Sequence, residues 1–314
     1  MVPYARAEMK SLPFRAFVLL LSLVAGSAAI AAATHRAAAS AAVVIASGTN
    51  ATRTTIPVSV DGLHATCVLD TGTSAIIVSP ALAQAARLAS RAGTFELAPD
   101  GRTYVDRQTS IARFGVSSYS LHDVAALISP NLYGTNALCG YDFFSHFPTL
   151  IERDRRQVTL FPAPARLTHM RCTPVDLSPR VPLATVEIND TWLAHVVLDS
   201  GMAGGGALWD GVRSQLRQPL VADAEYDTTP AAVREGFACG ATAAVRYAGG
   251  TPASAMPICT EPQRPDGYNG IIETNLATVR AMAVDYPHHR ICFDVHGETG
   301  GAWARFNALR APNR

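Results

Sequence analysis

Two short runs carry residues whose types and spacing could do chemistry together. They are Thr66-Cys67-Val68-Leu69-Asp70-Thr71-Gly72-Thr73-Ser74 and His195-Val196-Val197-Leu198-Asp199-Ser200-Gly201. In each, an apolar strand-like stretch delivers a carboxylate to a tight turn, followed by a small hydroxyl residue and a glycine that leaves the carboxylate uncrowded. Two carboxylates a few ångströms apart cannot both ionise, so their apparent pKa values separate and one proton is shared. Such a pair can activate a water as base while protonating a carbonyl oxygen as acid, which is what amide hydrolysis needs when there is no metal or nucleophile.

An Asp-hydroxyl-Gly triplet alone recurs by chance, but here each copy is followed by a matching layout. Leu138-Cys139-Gly140-Tyr141-Asp142 and Leu150 to Phe161 follow the first; Gly270-Ile271-Ile272-Glu273 and Ala283 to Phe293 follow the second. Glu152 lies 82 residues after Asp70 and Asp285 lies 86 after Asp199. Self-similarity of that length indicates a duplicated unit.

On these residues the sequence resembles the aspartic proteases, and more closely the bacterial retropepsin-like proteins with two protease repeats in one chain. The resemblance runs from about Arg53 to Val295 and implies a mostly β, two-lobed fold, each lobe a closed retropepsin-like β unit with short helices. It implies Asp70 and Asp199 as catalytic residues, supported by Thr71, Gly72, Thr73, Ser200 and Gly201. Thr71 and Ser200 would bond across to the opposing loop's backbone. Leu138-Cys139-Gly140 would thread behind the first turn, and Tyr104 resembles the tyrosine of a substrate-covering flap, with an ordinary exposed hairpin as the alternative. The second half departs from the pattern at Met202, where a hydroxyl residue often follows the glycine, and at Glu273, which replaces a glycine. With Thr73 able to donate to Asp70 and Met202 unable to donate to Asp199, Asp70 is expected to be the ionised partner. The implied activity is an aspartic endopeptidase acting on peptides or proteins as a monomer without cofactor or metal; the alternative is a non-catalytic peptide-binding or scaffolding protein that keeps the shape.

The elements that must position the two turns can be read in order. Ile56 to Val60 and Leu63 to Leu69 form a hairpin around Asp61-Gly62. Ser79-Pro80 caps a helix running to about Leu88. Strand-like runs flank Pro99-Asp100-Gly101, Tyr119 to Ile128 is a strand, and Leu150 to Phe161 is a hairpin turning at Arg153 to Arg156. Pro162 to Pro182 reads as the connection between halves. Ala184 to Leu198 is a hairpin turning at Asn189-Asp190, Gly204-Gly205-Gly206 is an insertion, and Ala207 to Leu216 is the counterpart of the first helix. Asp142, Asp154 and Asp285 are expected to cap turns, and His288-His289 to form a hairpin turn. These elements divide the chain into residues 1–47, a lobe at 48–164, a lobe at 165–296 and a tail at 297–314.

Composition excludes other classes. The net charge is +1 with 16% charged residues, which leaves no basic footprint for nucleic acid. No Cys-x-x-Cys, His-Glu-x-x-His or Gly-x-Ser-x-Gly is present, so zinc, thioredoxin-like and serine-hydrolase chemistry lack their motifs. Arg6, Lys10 and Arg15 precede an uncharged stretch, Ala16 to Thr34, that grades from apolar to small residues. That is the layout of a signal peptide for an exported, periplasmic or secreted protein, with an uncleaved membrane anchor as the alternative. All six cysteines lie beyond it, where disulfides can persist. Cys239 and Cys259 are the expected bridge, while Cys67 and Cys139 read as buried small hydrophobes.

Overall fold

The computed structural model describes residues 42–50, 53–97, 103–130, 132, 134–161, 167, 170–202, 205–222, 238–247, 254–261, 267–274 and 279–295. The segments 1–41 and 296–314, on which the expected signal peptide and tail fall, lie outside the described residues, as does the Pro99-Asp100-Gly101 turn. The structure is mostly β, with few and short helices.

Six strands close into a first ring. Arg53–Val60 and Leu63–Leu69 pair as the expected hairpin, with Asp61 and Gly62 at φ of 47° and 87°, the left-handed pair that such a two-residue turn requires. Leu63–Leu69 then runs parallel to Ala137–Cys139, which pairs with Ile76–Val78, which runs parallel to the end of Tyr119–Ile128. Thr103–Val116 pairs with Tyr119–Ile128 and returns to the first strand through Ser59 and Val60. The inward residues Ile56, Val58, Val60, Ile111 and Phe114 are buried, so the β-branched alternation that announced the strands is also what fills the ring.

Leu183–Ile188, Thr191–Asp199, Gly270–Glu273, Gly206–Trp209, Ser254–Glu261 and Ala238–Tyr247 close a second ring with the same order and the same parallel and antiparallel senses. Its hairpin turns at Asn189 and Asp190, both left-handed. Each hairpin turn is fastened to the strand that closes its own ring. Asp61 Oδ1 accepts from Arg113 N at 2.7 Å, and Asn189 Oδ1 accepts from Ala244 N at 2.8 Å.

A third sheet is common to both. Its order is Val43–Ala46, Gln157–Leu160, Thr149–Glu152, Val279–Asp285, Arg290–Val295 and Arg171–Pro174. One continuous apolar core, including Phe143, Phe144, Trp209, Tyr247 and Phe293, spans the rings and this sheet.

Two segments hold more than the sequence shows, and two helices are shorter than expected. Val43–Ala46, ahead of the boundary expected at residue 47, is an edge strand against Gln157–Leu160. The connection between halves contains the strand Arg171–Pro174, held in the common sheet by pairing with Arg290–Phe293. The first helix ends at Ala85, since Arg87 turns left-handed and Leu88 N donates back to Ala83 O. The run from Ala207 begins as strand and yields only the helix Asp210–Arg213, because Gly206–Trp209 is needed between two other strands to complete the ring.

Cys67 and Cys139 are buried as expected, but bonded to each other. The parallel register, Cys67 beside Ala137 and Leu69 beside Cys139, sets the two on one face with Cα atoms 5.8 Å apart, within reach of a bridge. Neighbouring strands, and not apolar context, decide the matter. Cys172 and Cys292 sit opposite each other in the common sheet and form a second disulfide. Cys259 is disulfide-bonded too; the side chain of Cys239 lies outside the described residues.

Candidate active site

Asp70 and Asp199 stand at the ends of equivalent strands, each beside a parallel neighbour that ends at Cys139 or continues to Glu273. The turns after them are locked by four reciprocal hydrogen bonds. Thr71 Oγ1 donates to Leu198 O at 2.7 Å and accepts from Ser200 N at 2.9 Å; Ser200 Oγ donates to Leu69 O at 2.8 Å and accepts from Thr71 N at 3.0 Å. Thr71 and Ser200 are buried, so each hydroxyl uses donor and acceptor capacity on the opposite backbone with no water to compete.

The two glycines serve the same approach. A Cβ on Gly72 would lie 2.5 Å from the Asp199 carboxyl carbon, and one on Gly201 would lie 2.1 Å from that of Asp70. No other residue type fits face-on against the opposing carboxyl.

Each carboxyl lies against the opposing turn's glycine, and their surroundings differ. Burial first, then the Asp199 charge, push Asp70 well above the usual carboxylate range, opposed by the Gly72 amide and by the charge of Arg53. Burial raises Asp199 as well, but the Gly201 amide, the neighbouring Asp70 carboxyl and the Met202 amide favour its charged form. Gly201 N and Met202 N reach Asp199 Oδ1 at 2.6 and 3.1 Å, whereas Asp70 Oδ1 is sealed from solvent without a partner. These contacts favour the charged form more at Asp199 than at Asp70, the reverse of the order expected from Thr73 and Met202. Backbone donors decide it: the amide of Met202 does what its side chain cannot. Thr73 meanwhile turns its methyl toward Gly140, where a Cβ would lie 2.4 Å from Cγ2.

Several residues at the site are not announced by the motif. Tyr286 is buried behind the turns, its Oη 3.5 Å from Thr71 O. Burial and then the charges of Asp70 and Asp199 raise it well above the usual phenol range. Its ring lies 5.7 Å from that of Tyr141, over which the Arg180 guanidinium stacks at 5.0 Å. Arg180, from the second half, pairs with Asp142 in the first turn of Tyr141–Phe144. Burial raises Asp142 nonetheless, with Arg180 the largest opposing influence. A cleft of about 610 Å³ borders the first turn at Ser74 and Ala75 and extends past Gln108 to this pair. Asp285 is buried against Arg290 and His288 at the turn where it was expected. Tyr104 lies in Thr103–Val116 opposite Glu96, and its side chain is outside the described residues.

Residues 56–146 match the sequence family described as "gag-polyprotein putative aspartyl protease". Over that span the chain is similar to a retropepsin-like aspartyl protease domain; the span includes the Asp70 turn and Gly140, and stops short of Asp199. No curated protein matches the chain.

Proposed function

We propose that the chain is an aspartic endopeptidase whose site is built from both Asp-hydroxyl-Gly turns of a single polypeptide. One observation carries the reading: Asp70 and Asp199 each lie against the other turn's glycine at the centre of a lock in which each turn's hydroxyl grips the other turn's backbone. In this reading the rings are the two lobes of a duplicated protease unit. Asp199, ionised, takes a proton from the water as it attacks the peptide carbonyl; Asp70, protonated, gives its proton to the carbonyl oxygen. The exchange returns the pair to a shared single proton of opposite placement, ready to protonate the leaving amine. Gly72 and Gly201 admit the carboxyls to each other, Thr71 and Ser200 fix their separation, and Tyr104 belongs to the hairpin that covers the substrate. The cleft beside Ser74 and Ala75 takes substrate side chains. The Cys67–Cys139 and Cys172–Cys292 disulfides and the charge-then-apolar N-terminus suit an exported enzyme.

The test is digestion of a peptide library by the mature chain from acid to neutral pH, with and without a statine-type transition-state mimic. Cleavage that the mimic blocks and Asp70→Asn abolishes is the expected result. Binding of peptides without cleavage at any pH identifies the chain as a non-catalytic peptide binder.

A further inference from the structure

Glu273 is a buried carboxylate, 5% exposed, that the chemistry above does not use. Its place in the ladder matches that of Gly140: Leu69 lies beside Cys139 and Leu198 beside Ile272, so the next residue is Gly140 in one ring and Glu273 in the other. Both make the same backbone bond, Gly140 N to Ala75 O at 3.1 Å and Glu273 N to Gly205 O at 2.8 Å. A side chain is impossible at Gly140, where a Cβ would lie 2.3 Å from Thr73 O and 2.5 Å from Ala75 O. Glu273 is accommodated because the second turn is longer. The equivalent strand residues Ile76 and Gly206 come six residues after Asp70 and seven after Asp199.

The carboxylate goes into that longer turn, where Oε2 accepts from Gly205 N at 2.8 Å. With the backbone bond in the opposite direction, Glu273 and Gly205 form a two-point clamp. Behind it, Tyr247 Oη donates to Glu273 O at 2.8 Å, and the Tyr247 ring is stacked on Phe293 of the common sheet at 4.6 Å. Gly205 is confined as well, at φ of 121° with Pro257 O where a Cβ would be. The turn is thus pinned at one end by the Ser200 lock and at the other by Glu273, with the Gly201 and Met202 amides between.

We propose that Glu273 is the positioning residue of the second turn, holding Gly205 so that the Gly201 and Met202 amides stay aimed at Asp199. A glycine-containing loop one residue longer has more conformations to lose, and a carboxylate buried without hydrogen bonds is strongly disfavoured; the clamp resolves both. The proposal rests on the reading of Asp70 and Asp199 as the reacting pair.

Two variants of the full chain separate an acceptor from mere bulk. Glu273→Gln keeps an oxygen for Gly205 N, and Glu273→Met fills similar volume with none. Titration of the two aspartate carboxyls by carbon NMR reads the pair's apparent values without requiring turnover, and kcat and KM are followed across the same pH range. In Glu273→Met the lower apparent value rises by about 1 pH unit as Asp199 loses aligned donors; kcat falls about tenfold at the acid limb and KM stays within about twofold. Glu273→Gln restores the wild-type titration. A folded Glu273→Met that titrates like wild type, or a Glu273→Gln shifted as far as Glu273→Met, overturns the proposal. Should Glu273→Met not fold, Glu273→Gly, which carries the residue type of the first turn, is read by the same criteria. A wild-type chain that cleaves nothing while its titration still responds to residue 273 removes the protease reading and leaves the clamp standing.

Discussion

Thr71→Val changes one atom pair at the centre of the lock. Valine has the shape of threonine, so packing is kept while the hydroxyl is replaced by a methyl. Leu198 O loses a 2.7 Å donor and Ser200 N loses a 2.9 Å acceptor, both between residues buried from water. Leaving a buried polar group unsatisfied costs about 1–3 kcal/mol, so two cost about 2–6 kcal/mol. The extra buried methyl returns less than about 1 kcal/mol. The expected loss is therefore about 1–5 kcal/mol, a large part of the roughly 5–15 kcal/mol that holds a folded protein together. Urea unfolding measures it directly as a lower midpoint at unchanged slope. Thr71→Ser, which keeps the hydroxyl, should lose only about 1 kcal/mol. Ser200→Ala orphans the mirrored groups, Leu69 O and Thr71 N. Once one half of the lock is open the turns can part and admit water, so the second substitution costs less than it does alone, with a coupling of at least about 1 kcal/mol in a double-mutant cycle. A Thr71→Val chain that loses less than about 1 kcal/mol, or singles that add within about 0.3 kcal/mol, would refute the reciprocal lock.

Asp70→Asn should lower peptide cleavage at least about 100-fold yet raise stability at neutral pH. Both carboxyls are raised in the folded chain, so their contribution is complete below the unfolded value near pH 4 and is lost as pH climbs through the folded values; a neutral amide escapes that loss, and stability measured from pH 3 to 8 should show a flatter slope. Met202→Thr should leave the pH profile of kcat essentially where it is, because the residue acts through its amide; an acid limb displaced by about 1 pH unit would return the role to the side chain. Gly201→Ala should abolish turnover in a folded protein, since the new Cβ falls 2.1 Å from the Asp70 carboxyl carbon; a structure of that variant with the carboxyls undisturbed, and full activity, would contradict the cradle.

The strands, both left-handed hairpin turns and the paired Asp-hydroxyl-Gly turns were legible because they depend on local pattern: alternation, turn chemistry and a carboxylate at a strand end. What was not legible depends on neighbours far along the chain. The Cys67–Cys139 bridge requires knowing that two strands run side by side. Trp209 reads as the start of a helix until the ring needs a strand there. Side-chain types at 73 and 202 favour charge on Asp70, while the amides of Gly201 and Met202, present in any sequence, favour it on Asp199. Glu273 reads in the sequence only as a departure at a glycine position, and the extra residue in the facing turn shows where its side chain goes.

The common sheet sets a schedule for the molecule. Its middle pairing joins Thr149–Glu152 to Ala281–Val284, and Cys172 is bonded across to Cys292, so a sheet begun by Val43 is finished only by the strand ending at Val295. Contacts that span so much chain form slowly and late. A chain emerging from a ribosome or a translocation pore can close its first ring well before it can bring Asp199 to Asp70. The sheet that joins the halves therefore waits for residues 279–295, which follow the last strand of either ring along the chain.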